Sequence, residues 1–153
     1  MAIDLEQVTD ALGSHLSGSI SYLGSNGSVW LSDEELSVQA GFSKYAGGYG
    51  VQMMNPRVTP EPMMGGLRRQ LFEVDLKIMR KRGGGRISRL KGTGGLDKGI
   101  YEFVADIETV LIHNRLGTLL KPFPGVSVDS FHFDDSQAEI AIARTTFMGW
   151  LTG

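Results

Sequence analysis

Gln70-Leu71-Phe72-Glu73-Val74-Asp75-Leu76-Lys77-Ile78-Met79 alternates two sets of side chains without a break. Phe72, Val74, Leu76 and Ile78 share one phase with Gln70, while Leu71, Glu73, Asp75, Lys77 and Met79 share the other. A period of two marks a β-strand, because successive side chains leave opposite faces of a sheet. The stretch predicts a long strand with one buried and one wet face. It runs into Arg80-Lys81-Arg82 and Gly83-Gly84-Gly85, which cannot sustain a ladder.

Downstream, Asp97 offers an N-cap, and Ile100, Phe103, Val104, Ile107, Val110 and Leu111 then recur at helical spacing with Glu102, Asp106 and Glu108 off the stripe. Asn114 and Gly117 are terminators, and Pro122 and Pro124 enforce the break. Two strands follow. Val126–Phe133 carries an irregularity near Ser130, since Val126 and Val128 stand on one phase and Phe131 and Phe133 on the other. Asp134-Asp135-Ser136-Gln137 makes the turn into the alternating run Ala138–Trp150, so the pair predicts an antiparallel hairpin.

Upstream, Leu5, Val8, Leu12 and Leu16 form the stripe of an amphipathic helix that Asp4 can cap, with Gln7 in the capping-box position. Gly18, Gly24 and Gly27, interleaved with Ser and Asn, end it near Gly18. Val29-Trp30-Leu31 and Leu36–Phe42 read as short strands. Residues 53–66 hold Pro56, Pro60 and Pro62, which exclude a helix and argue for an extended arm or a sheet edge. Met53, Met54, Met63 and Met64 in that arm are candidate assembly contacts, because methionine adapts to apolar partner surfaces; local packing is the alternative. The order predicts a single α+β domain over 1–153, a mostly antiparallel sheet packed against two helices, with long flexible loops.

The chain has 153 residues, enough for one core, and its formal charge is -2. That balance excludes a simple polycation, yet it is segregated. Residues 57–98 hold eleven basic residues against four acidic, and the remainder four against thirteen. Seven of the cations, Arg80, Lys81, Arg82, Arg86, Arg89, Lys91 and Lys98, fall with six glycines in the stretch 80–98. As a solvated loop this stretch needs no partner. As a nucleic-acid contact it would neutralise phosphates without reading bases, and no aromatic residue in it offers stacking. As a docking arm it would order on an acidic protein surface, including that of another copy.

Chemistry is sparse. The absence of cysteine removes disulfides, thiolate metal sites and cysteine nucleophiles. His15, His113 and His132 fall in separate elements, and His132 with Asp134 and Asp135 reads as an acidic turn rather than a metal site. Gly92-Thr93-Gly94-Gly95-Leu96-Asp97-Lys98-Gly99 mimics a phosphate loop. Asp97 stands where a dinucleotide loop needs glycine, and Lys98 lacks the following Ser or Thr. No catalytic, cofactor or metal site is therefore expected. The N-terminus lacks a signal-peptide pattern and no run is apolar enough to span a membrane, so the expected place of synthesis is the cytoplasm.

The layout of Gln70–Ile78, of Leu96-Asp97 opening the helix Ile100–Ile112, of Phe123-Pro124-Gly125-Val126, and of the closing strands to Arg144–Trp150 resembles the tail terminator family of long-tailed bacteriophages. Neck and tail-completion proteins are its wider relatives. The resemblance covers roughly residues 67–150 and the N-terminal helix. It is one of layout rather than of an invariant motif, and the Gly/Ser-rich segment 17–50 and the length of the basic loop depart from it. It implies an α+β virion protein, made in the host cytoplasm, that forms a homo-oligomeric ring, a hexamer, on the tail tube protein. Such a ring halts tube growth and presents the surface met by the head-completion or neck protein. It would make Arg80–Lys98 either a lumen loop in non-specific contact with genomic DNA or a clamp on the tube beneath.

Overall fold

The computed structural model describes residues 5–24, 29–31, 48–62, 68–81, 91–94, 97–111, 121–134 and 138–151. Helix α1 (Leu5–Ser19) is followed by a single turn, α2 (Ser21–Gly24). The strands are β1 (Val29–Leu31), β2 (Tyr49–Pro62), β3 (Arg68–Lys81), β4 (Gly92–Gly94), β5 (Asp97–Lys98), β6 (Lys121–Asp134) and β7 (Ala138–Leu151), with helix α3 (Ile100–Leu111) before β6. Five strands form one sheet in the order β1-β2-β3-β7-β6, and β4 and β5 pair by themselves. Only β1 runs parallel to its neighbour; the β2–β3, β3–β7 and β6–β7 pairs are antiparallel. The fold is α+β, a mostly antiparallel sheet carrying two main helices on one face.

That face is set by the sequence periods. Phe72, Val74, Leu76 and Ile78 of β3 are buried with Val51 and Met53 of β2 and Ala143 of β7. Above them lie Val8, Leu12 and Leu16 of α1 and Ile100, Phe103, Ile107 and Leu111 of α3. Each helix thus turns its stripe onto the buried phase of the strands. Thr145, a polar member of this face, is buried with its hydroxyl donating to Val74 O at 2.8 Å.

The second face of β3 is wet only in part. Leu71, Glu73 and Asp75 are partly exposed, whereas Lys77 and Met79 are buried. The expectation of one uniformly wet face is corrected on that point: alternation fixes which residues share a face but not how far the face is covered.

The 53–66 arm is the larger correction. Residues up to Pro62 belong to β2, paired with β3 along its length. Met53 is buried, and its Cε lies 3.3 Å from where a Cβ on Gly13 would stand, so the missing side chain lets α1 approach β2. It is a core residue and not a free assembly contact. Met54 is half-buried opposite Asp75, while Met63 and Met64 lie outside the described residues. The edge alternative fits the rest of the strand. β1 covers only Val51–Met53, Pro56 falls in the register shift between Met54 and Arg57, and Pro60 and Pro62 share one phase. Proline is tolerated at such positions because it removes no donor that the ladder uses. Asn55, at φ 48°, absorbs the bulge, a conformation asparagine adopts more readily than most residues.

The hairpin irregularity is present. The register shifts between Val128 and Ser130, which sets Phe131 opposite Ala141 just as Val128 stands opposite Ala143. One extra residue thus returns the phenylalanines to the phase of the valines. The strand begins earlier than expected, at Lys121, and Pro122 and Pro124 fall in a second shift between Lys121 and Gly125. Asp97 lies in β5 and does not cap α3. The amide of Phe103 bonds Gly99 O at 3.0 Å, which makes Gly99 the residue before the helix. The segments Leu36–Phe42 and Asn114–Gly117 lie outside the described residues, as do Asp4 and the loop tip at 82–90.

Candidate functional site

The basic stretch leaves the body at the end of β3 and returns through β5 into α3. Its two ends are joined by Arg80. This residue continues the phase of Phe72, Val74, Leu76 and Ile78, so its side chain enters the core face and is 3% exposed. The guanidinium carbon lies 3.9 Å from the centre of the Tyr49 ring. Its Nε donates to Lys98 O at 2.7 Å and its Nη1 to Gly48 O at 2.9 Å. The Tyr49 hydroxyl accepts from the Lys98 amide at 2.8 Å and lies 3.2 Å from Lys98 O. Gly48 has φ 89°, a left-handed conformation suited to glycine, which presents its carbonyl to the guanidinium.

The expectation that Arg80 faces a partner or a lumen is therefore corrected. It is a buried clamp holding the loop base, because its parity on β3 outranks its membership of a basic run. The other loop cations divide. Lys81 ends β3 and Lys91 is exposed. Lys98 pairs with Glu102 across 3.1 Å one helical turn on, and this hydrogen bond raises its pKa. Arg82, Arg86 and Arg89 lie outside the described residues.

Tyr49 also anchors an aromatic cluster. Its ring lies 4.6 Å from that of Tyr22 and 5.4 Å, edge-on, from Phe103, and Tyr22 meets Phe103 edge-on at 5.7 Å. The Tyr22 hydroxyl donates to Asp106 Oδ2 at 2.5 Å. Burial first, and then this bond to a carboxylate, push its pKa far above that of a free tyrosine. Tyr22 is held as a donor and is unsuited to act as a base or nucleophile.

On the opposite face of the sheet, four charges meet across three strands. Arg57 Nη2 lies 2.9 Å from Glu73 Oε2 and 3.3 Å from Asp75 Oδ1, and Arg144 Nε lies 3.6 Å from Asp75 and 4.0 Å from Glu73. Burial alone would lower the Arg57 pKa; the bonds and charge of Asp75, then Glu73, raise it. Two cations balance two carboxylates in a partly exposed lattice, an arrangement that fixes strand register more than it stabilises. Sequence spacing could not have found it, because Arg57 and Arg144 meet the acids only through the β2–β3–β7 register.

Among the described residues, no three His, Asp or Glu side chains come together in a way that would hold a metal ion. No helix of the described residues is long and apolar enough to cross a membrane. The described geometry is that of clamps and charge lattices. Against known proteins, no family model and no curated protein matches this chain.

Proposed function

We propose that this chain is a structural, non-enzymatic virion protein of the tail or neck, a tail terminator that forms a ring on the tail tube, stops its growth and offers the surface for head attachment. The observation that carries the reading is the loop base. A long basic segment springs from a rigid foot of Arg80, Tyr49 and Lys98 on the body of an otherwise acidic chain. Fixing both ends of a segment lowers the entropy lost when it docks, which favours binding to a neighbour. The sheet supplies the second support. Among the described residues no strand pairs with the outer edge of β6, whose stretch Gly125–Asp134 contains no proline, so it can accept another chain.

The proposed partners are further copies of the chain, the tail tube protein and a head-completion or neck protein, with the genome end nearby in the lumen. Light scattering coupled to size exclusion tests the reading. A ring near six copies, or a monomer that assembles only on added tubes, is expected. A stable monomer that ignores tubes and shifts DNA in a salt-sensitive way would overturn it in favour of a small nucleic-acid-binding module.

A further inference from the structure

Where α1 breaks into α2, a shallow cleft of ≈ 250 Å³ opens against α3, lined by Ser19, Ser21, Tyr22, Asp106, Thr109 and Val110 among others. Asp106 is the charged residue of its lining, and Lys98 acts on it from outside the cleft. Asp106 is half-buried, and its described hydrogen bond, from Tyr22, goes to Oδ2. The C-terminal turns of two helices border the cleft, Ser19 ending α1 and Thr109 and Val110 lying in the last turn of α3. Helix C-termini carry partial negative charge and ordinarily attract cations. Neither last turn contains a basic residue. His15 Nε2 lies 3.2 Å from Val110 O, its donor side spent on one α3 carbonyl, and Nδ1 lies 3.4 Å from Ser19 Oγ. The Asp106 carboxylate and the ends of two helices thus border a space that fits one long side chain.

We propose that this cleft is a socket for a guanidinium or ammonium side chain, and that its occupant is the basic segment 82–91 of a second copy. Charge complementarity selects that occupant. The segment Arg82-Gly83-Gly84-Gly85-Arg86-Ile87-Ser88-Arg89-Leu90-Lys91 carries four cations and no acid. Arginine suits the socket best, because its planar fork can meet Asp106 Oδ1 and a helix carbonyl together. The inference rests on the ring reading for its biological setting but not for its chemistry. A chain with some other role would still bind the segment.

A synthetic peptide of residues 82–91, titrated into the full protein labelled with nitrogen-15, tests it. Amide shifts are expected to cluster at residues 19–22 and 106–110 and to fade as salt is raised. Asp106→Asn, which keeps an acceptor for Tyr22, should weaken binding about tenfold, as loss of a charge-assisted contact does. Thr109→Arg, at an exposed position on the rim, should fill the socket in cis and abolish the shifts without touching the Tyr22–Asp106 bond. A peptide with its three arginines replaced by glutamine should not bind. Shifts centred elsewhere, no shifts, or equal binding by Asp106→Asn would overturn the proposal, whether or not the chain forms rings.

Discussion

Arg80 shows how far a single position can depart from the run it sits in. In the sequence it opens Arg80-Lys81-Arg82 and reads as one loop cation among seven. Its parity was the available signal, since it stands two residues after Ile78 on the buried phase. Replacing it with methionine keeps the volume but leaves Gly48 O without the guanidinium donor and strips one bond from Lys98 O. The expected loss is about 2–4 kcal/mol in urea unfolding, the range for breaking a buried hydrogen-bonded charge. Arg80→Lys should recover only part, because an ammonium cannot span both carbonyls. Tyr22 makes a separate prediction. Its folded pKa lies above the unfolded value of about 10, so the unfolded chain loses this proton first as pH rises. The contribution is complete below pH ~10 and declines above it. The melting temperature of the wild type should therefore fall more steeply above pH ~10 than that of Tyr22→Phe. Parallel curves would remove Tyr22 from the account. Neither Tyr22 nor Asp106 was legible as a pair, because nothing in the chain signals that a residue after α1 meets one on α3.

At the level of elements, legibility followed period. The stripes of α1 and α3 and the alternation of β3 each specify one face, and each packs on the face it specifies. The phase change in β6 was legible for the same reason, since a bulge is the economical way to keep Val126, Val128, Phe131 and Phe133 on one phase. β2 was not legible as a full strand. Its prolines speak against a central strand, and only the short partner β1 and the bulge at Asn55 make them acceptable where they stand. The most demanding position is Val74, fully buried at the centre of β3 between the two helices. Val74→Asp should abolish soluble expression, since it buries an unpaired carboxylate under that core. Asp75→Val, one residue along on the partly exposed face, should remain soluble and lose only part of the lattice with Arg57 and Arg144. If the two variants behaved alike, the faces of β3 would be wrongly assigned.

For the whole molecule, a formal charge of -2 conceals a basic segment on an acidic body, and the structure adds that this segment starts from a fixed base. Deleting Gly83–Gly95 removes β4 but should leave the five-stranded sheet and the helices folded, because Arg80, Tyr49 and Lys98 all remain, and it should disturb tail length or head attachment during infection. Normal tails would mean that the loop is only solvated chain. Composition and charge made the loop visible; they could not reveal its clamp, which depends on Gly48 and Tyr49 at the start of β2 arriving opposite Arg80 in the β2–β3 register. The central claim, that this chain ends the tail tube, is tested most directly by electron microscopy of lysates from cells infected with a phage lacking it. Tubes of uncontrolled length beside unattached filled heads are the predicted result, and tails of normal length joined to heads would contradict the account.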